Sequence, residues 1–262
     1  MFLFGHPVAH SLSPAMHNAA FKSLGLPHRY SVRDVAPGDL ADAVGSLRTH
    51  DSIGANVTVP HKESALRLVD EAGEEARLTG AVNAIVRRGS RLLGHNTDAY
   101  GFEQALELVA RPDRVLLLGA GGAARACALV LLRRGARVEI ANRTRQRAED
   151  LVRAIESGGR RATVVDWPVR GASLAQDMVV NATSLGLQGE DALDGIALPR
   201  VVVDIVAMKD PTPLVRRARQ AQDVEVVDGS TMLLHQAVRS FELWTGLPAP
   251  VEVMRAALPR PG

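Results

Sequence analysis

Only three lysines, Lys22, Lys62 and Lys209, stand among the 31 basic residues of this 262-residue chain; the rest are arginines. A guanidinium stays protonated in proteins, whereas an amine can exchange its proton when its surroundings tune it. Lys62 is therefore the first candidate for acid–base chemistry. It ends the stretch "ANVTVPHK", preceded by Ile53 and Gly54. Ile53, Ala55, Val57 and Val59 share one face of a period-two strand, and Gly54, Asn56 and Thr58 share the other. An amide, a hydroxyl and an amine thus leave one element together. Asp98, in "GHNTDAYGFEQALEL", falls in the first turn of a helix capped by Asn96 or Thr97. A carboxylate there is favoured by the helix dipole, and in a cleft it would pair with an amine, for which Lys62 is the candidate.

Two further stretches have types and spacings that suit anions. In "GHPVAHSLSPAMHNAAF", Pro14 fits the first helical position and Ser13 its N-cap, so capping alone accounts for Ser13. The same free N–H groups, with the Ser11 and Ser13 hydroxyls, also suit a carboxylate. His6, His10 and His17 lie nearby without further ligands, so no metal site is read from them.

The second stretch, "RVLLLGAGGAARACALVLLRRGARVEIANRT", is a strand ending at Leu118, a turn of Gly119, Gly121 and Gly122, Ala124 at the close-packing position, and a helix to about Arg134. The pattern G-x-G-x-x-A in this setting seats a pyrophosphate on backbone N–H groups at a helix N-terminus. The strand that follows does not end in the acid that would receive ribose hydroxyls. It ends in Asn142, Arg143 and Thr144, with Arg147 beyond. Guanidiniums and a hydroxyl suit a ribose 2′-phosphate, so NADP(H) is expected rather than NAD.

These groups must be held by α/β layers. Residues 1 to 100 alternate short apolar runs with helical patterns, which predicts a largely parallel sheet. A second series, "RVLLLG", "ARVEIAN", "ATVVD", "DMVVNAT", "RVVVDIV" and "VEVVDG", has continuous apolar strands, as a sheet covered on both faces requires. Two helical segments follow the last strand and are expected to pack back on the first domain. The passage near residues 99 to 112 reads as a helix rather than a tether.

Length beyond the usual ~100–200 residues of a single core favours two domains. No run of about 18 apolar residues occurs, and the N-terminus lacks a signal-peptide pattern. The one cysteine, Cys127, lies in an apolar helical run and reads as a buried thiol. These features suit the cytoplasm. A net charge of +2 with 3% aromatics argues against nucleic acid as partner. A small-molecule substrate is expected, in a monomer or homodimer with no membrane partner.

Taken in series, "GHPVAHSLSPAMHN", "NVTVPHK", "GAVN", "NTDAYG", "GAGGAARA", "NRT", "NATSLG" and "HQA" resemble the shikimate dehydrogenase family over nearly the whole chain. The resemblance implies a substrate-binding domain, 1–100 plus 231–262, and a Rossmann NADP domain, 101–230, with a cleft between them. It implies NADPH-dependent, reversible reduction of 3-dehydroshikimate to shikimate, a step in aromatic amino-acid biosynthesis. Ser11 and Ser13 would hold the substrate carboxylate. Asn56, Thr58, Asn83, Asp98 and Gln236 would bind the ring hydroxyls, with Lys62 and Asp98 the catalytic pair. Cofactor contacts would come from Gly119, Ala120, Gly121, Gly122, Ala123, Asn142, Arg143, Thr144, Arg147, Thr183, Met208 and Gly229. One position departs from the pattern: the family's tyrosine, three residues after the aspartate of "VVVDIVAMKD", is Ala207 here. Quinate or another cyclic hydroxy acid as substrate, and an NADP-binding sensor without turnover, stay open as alternatives.

Overall fold

A computed structural model describes residues 1–49, 51–156, 162–169 and 174–259. From the N-terminus the elements are β1 (Phe2–Gly5), α1 (Ser13–Ser23), β2 (Ser31–Asp34), α2 (Leu40–Ser46), β3 (Gly54–Val57), α3 (Lys62–Ala65), β4 (Glu71–Ala72), α4 (Glu74–Thr79), β5 (Ala84–Arg88), β6 (Arg91–His95) and α5 (Asp98–Leu106). Then come β7 (Arg114–Leu118), α6 (Gly122–Arg133), β8 (Arg137–Ala141), α7 (Arg145–Glu156), β9 (Ala162–Val165), β10 (Met178–Asn181), β11 (Val201–Asp204), α8 (Pro213–Gln220) and β12 (Glu225–Val227). Helices α9 (Gly229–Thr245) and α10 (Val251–Ala256) follow. Among the described residues the chain divides into two units: Met1–Gly101 with 233–259, and Phe102–Met232. Both passages between units fall inside helices, α5 and α9.

The sheet of the first unit has the order β2-β1-β3-β5-β6-β4. It is mixed rather than largely parallel: β1 pairs in parallel with β2 and β3, and β4 with β6, but β5 runs antiparallel to both β3 and β6. The reason is local. Arg88 pairs with Arg91, so only Gly89 and Ser90 join β5 to β6, a link that an antiparallel hairpin alone can make. Gly89 takes the positive φ of 61° that such a turn needs at its first central position. Alternation along β1 sends Leu3 and Phe4 into cores on opposite faces. On one face, Met16 and Phe21 of α1, Tyr30, Phe241 and Trp244 of α9 and Met254 of α10 pack together, so the last helices belong to this unit. On the other face, Val44 and Leu47 cover Val57, Ile85 and Leu92.

In the second unit all six strands are parallel, in the order β12-β11-β10-β7-β8-β9. Residues Val115–Leu118 of β7, and β10 and β11 throughout, are buried, which is why they read as unbroken apolar runs. The strand order reverses direction between β7 and β10, the point at which doubly wound sheets receive ligands. Among the described residues, no helix is long and apolar enough to cross a membrane, and no three His, Cys, Asp or Glu side chains could hold a metal ion together.

Candidate active site

Lys62 leaves β3 through a short turn. The His61 N–H donates to the Thr58 carbonyl at 2.8 Å, and the Val82 N–H donates to the Lys62 carbonyl at 2.8 Å. The buried His61 imidazole pairs through Nε2 with the Val35 carbonyl oxygen at 2.7 Å. Through that bond the histidine, to which its sequence assigns no role, moors the turn carrying the amine. Lys62 Nζ then donates to Asp98 Oδ2 at 2.6 Å, with side-chain exposures of 13% and 4%. Asp98 opens α5, where the Ala99 N–H donates to the Asn96 side chain at 3.2 Å. The amine and carboxylate, 36 residues apart, are therefore brought together as expected.

A buried amide fixes the carboxylate's other oxygen. Asn83 Nδ2 donates to Asp98 Oδ1 at 2.8 Å and to Thr97 Oγ1 at 3.0 Å, and Asn83 Oδ1 accepts from the Thr97 N–H at 2.7 Å. Asn56 sits deeper, 4% exposed, and its groups are taken up by protein. Its Nδ2 donates to the Asn83 carbonyl at 2.9 Å and to Ser240 Oγ at 3.0 Å, and its Oδ1 accepts from the Tyr30 hydroxyl at 2.9 Å. Burial holds the Tyr30 phenol protonated, well above its ordinary range.

The structure places the remaining candidates of this unit as follows. Ser13 is buried and does not cap its helix: Leu12 takes the N-cap position with no side-chain bond, and the Ser13 N–H donates instead to Ser11 Oγ at 3.2 Å. The hydroxyl one residue further out does the capping because Leu12 is already α-helical in backbone. Thr58 follows β3 and is half-buried, beside Gly5, where any Cβ would meet its methyl at 2.4 Å. Gln236 lies in α9, and its Nε2 donates to the Leu233 carbonyl at 2.8 Å. Tyr30 and Ser240 carried no motif, although Tyr30 is one of only two tyrosines in the chain.

In the second unit, Gly119 follows β7 with φ 109°, and a Cβ there would lie 2.7 Å from the Ala182 carbonyl oxygen. A Cβ on Gly121 would meet nothing within 4 Å, so the approach to the start of the twelve-residue α6 is open. No acidic residue stands in its first turn. Gly121 at the N-cap makes no side-chain bond, and Ala120 and Ala124 are buried while Gly122 and Ala123 are half-buried. A helix start of this kind leaves N–H groups that suit a phosphate. After β8, Asn142 Nδ2 donates to the Thr144 carbonyl at 2.8 Å, and the Arg147 N–H donates to the same oxygen at 3.0 Å. Arg143 is exposed and makes no hydrogen bond or ion pair with the described residues.

A second network closes the strand ends of β10 and β11. Asn181 Nδ2 donates to Asp204 Oδ1 at 3.0 Å, Thr212 Oγ1 donates to Asp204 Oδ2 at 2.7 Å, and the Val206 N–H donates to Asp204 Oδ1 at 3.0 Å. Thr183 Oγ1 donates to Asn181 Oδ1 at 2.7 Å. Burial outweighs these donors and pushes the Asp204 carboxyl up to about 6. Met208 is exposed, and Gly229 approaches the backbone so closely that a Cβ would lie 2.5 Å from the Val206 carbonyl carbon.

Comparison with known proteins covers most of the chain. Residues 3–85 match the family described as the shikimate dehydrogenase substrate binding domain, 103–228 that of shikimate / quinate 5-dehydrogenase, and 229–258 that of the shikimate 5′-dehydrogenase C-terminal domain. The shikimate dehydrogenase (NADP(+)) of Desulfitobacterium hafniense is 44% identical over 98% of this chain and 96% of its own. The crystal structure of shikimate 5-dehydrogenase from Thermus thermophilus in complex with NADP(H) and shikimate is 38% identical, with a TM-score of 0.84 over 98% of this chain and 97% of that one. Quinate dehydrogenase from Corynebacterium glutamicum in complex with NAD is 35% identical, with a TM-score of 0.86 over 98% and 96%.

Proposed function

The chain belongs to the shikimate dehydrogenase family, and on that premise we propose that it catalyses the reversible, NADPH-dependent reduction of 3-dehydroshikimate to shikimate. The observation that carries the reading is the buried Lys62–Asp98 pair with Asn83 locked on its far oxygen. A buried ion pair is poor value for stability, since apolar groups of the same volume often serve as well. Its presence on a polar strand end supports a chemical use.

NADPH, when bound, supplies the hydride to the ketone carbon. Lys62, as ammonium, donates a proton to the ketone oxygen as that atom gains charge; in the oxidative direction its amine takes the hydroxyl proton. Asp98 orients Lys62 through Oδ2 and keeps lone pairs for a neighbouring ring hydroxyl. Ser11 and Ser13, at the start of α1, hold the ring carboxylate, and Thr58, Asn83 and Gln236 address ring hydroxyls. The N–H groups at the start of α6 take the cofactor's pyrophosphate, and Arg143 with Thr144 and Arg147 takes the ribose 2′-phosphate. Thr183, Met208 and Gly229 line the nicotinamide side. A single, buried cysteine is in keeping with work in the cytoplasm.

One observation favours a wider substrate range: Ala207 presents only a methyl where the family carries a tyrosine. The deciding experiment follows reduction of NADP+ and of NAD+ by the purified protein offered shikimate and quinate separately. Turnover of shikimate with NADP+ well above the other three combinations is expected. Equal or better turnover of quinate would move the assignment to the quinate branch, and none with any combination would overturn it.

A further inference from the structure

The hydrogen bonds around Asn56 and Ser240 form one connected chain. Ser240 Oγ spends its only proton on the Gln236 carbonyl at 2.9 Å. In that arrangement it accepts from Asn56 Nδ2, and at 3.2 Å from the Thr97 hydroxyl. With its proton turned to Ser240, Thr97 Oγ1 accepts from Asn83 Nδ2, whose other hydrogen goes to Asp98 Oδ1. Asn83 cannot flip, because its carbonyl would then face the Asp98 carboxylate. Asn56 is held the same way, by the Tyr30 hydroxyl on its oxygen and two acceptors on its nitrogen. Ser240 and Thr97 are fully buried and Tyr30 is 1% exposed, so water offers no substitute partner.

From this we infer that Ser240 is a positioning residue for the reaction: it ties the turn of α9 that carries Gln236 to the Thr97–Asn83–Asp98 chain, and so holds Asp98 in register with Lys62. Asn56 and Tyr30 brace it from the other side. The inference rests on the reading of Lys62 and Asp98 as the reacting pair. Without the Ser240 hydroxyl, the Thr97 proton turns to Asn83 Oδ1, 3.3 Å away, and the amide that fixes Asp98 gains a competing pull.

The test compares Ser240→Ala, Tyr30→Phe and the double variant with the wild-type protein, assayed with shikimate and NADP+. Ser240→Ala is expected to lower kcat/KM for shikimate about tenfold, with the NADP+ KM within about twofold of wild type. Tyr30→Phe keeps its ring packing and should lower it less. The double variant should fall short of the product of the two effects, because both act through Asn56. Ser240→Thr, which keeps the hydroxyl, should recover most of the loss. Unchanged shikimate kinetics in Ser240→Ala would overturn the inference, as would a loss shared equally by the NADP+ KM, or strictly multiplicative effects. Should Ser240→Ala fail to fold, Tyr30→Phe carries the test: a fall in shikimate kcat/KM alone supports the inference, and none overturns it. Wild-type protein without shikimate turnover would instead defeat the underlying function, an outcome read before any variant is made.

Discussion

Lys62 stands 2.6 Å from a carboxylate that is itself bonded by a buried amide, so its amine is aimed rather than snorkelling. Loss of a positioned acid–base group costs about 10²–10⁴-fold in rate. Lys62→Ala should therefore lower kcat for shikimate by that order while NADP+ still binds, checked by steady-state kinetics beside a cofactor titration. Near-normal turnover would remove Lys62 from the mechanism. Lys62 can be found in the sequence because lysine is scarce in this chain and because period-two alternation puts Asn56, Thr58 and the amine at one strand end. The same alternation cannot tell that Asn56 turns inward. Its partners, Tyr30 and Ser240, lie 26 and 184 residues away, and no local pattern announces which distant hydroxyls will converge on a buried amide.

Strand β3 and helix α9 meet at Gly54, where the site's two halves of sequence are joined. A Cβ at Gly54 would lie 2.2 Å from the Ile85 carbonyl oxygen and 2.5 Å from Trp244 Nε1. Those two atoms form a buried hydrogen bond of 2.9 Å. Gly54→Ala must therefore break this bond or push α9 away, and overpacking with a lost bond costs about 2–4 kcal/mol. A lower denaturation midpoint together with a raised shikimate KM is expected, since Ser240 and Gln236 ride on the same helix. An unchanged midpoint would show that the helix can yield. At this scale the sequence is legible in kind more than in pairing. The strands and most helices follow from their apolar periods, and the nucleotide turn from its glycines. The antiparallel hairpin β5–β6 escapes such a reading because the run lengths alone do not reveal that two residues are too few for a crossover. The single turn of α3 has the pattern of a longer helix, although beyond Leu66 the chain bonds at three-residue spacing, Arg67 to Ser64 and Leu68 to Ala65.

The two α/β units have cores of their own, and their buried titratable groups respond to acid in opposite senses. In the first unit, His17 is fully buried against Tyr30 and Phe21, and neither ring nitrogen has a partner among the described residues. Burial lowers its pKa to about 3 from 6.5, so the unfolded chain takes up the proton first. Stability from this group is intact above pH 6.5 and is lost as pH falls, by about 2 kcal/mol at pH 5. His95 and His235, in the same unit, are lowered by burial as well and act in the same direction. In the second unit Asp204 is raised from 3.8 to about 6, so the folded state takes up the proton first. Its burial penalises folding above pH 6 and is relieved as pH falls, by about 1 kcal/mol at pH 5. Moving from pH 7 to pH 5 should thus weaken the first unit while strengthening the second. Hydrogen-exchange protection, corrected for intrinsic rates, measures each unit separately. It should fall in β1, β3 and α1 and rise in β10 and β11. Asp204→Asn should flatten the second response and leave the first. Parallel movement of both units would mean that they open as one, or that neither buried group governs its own core.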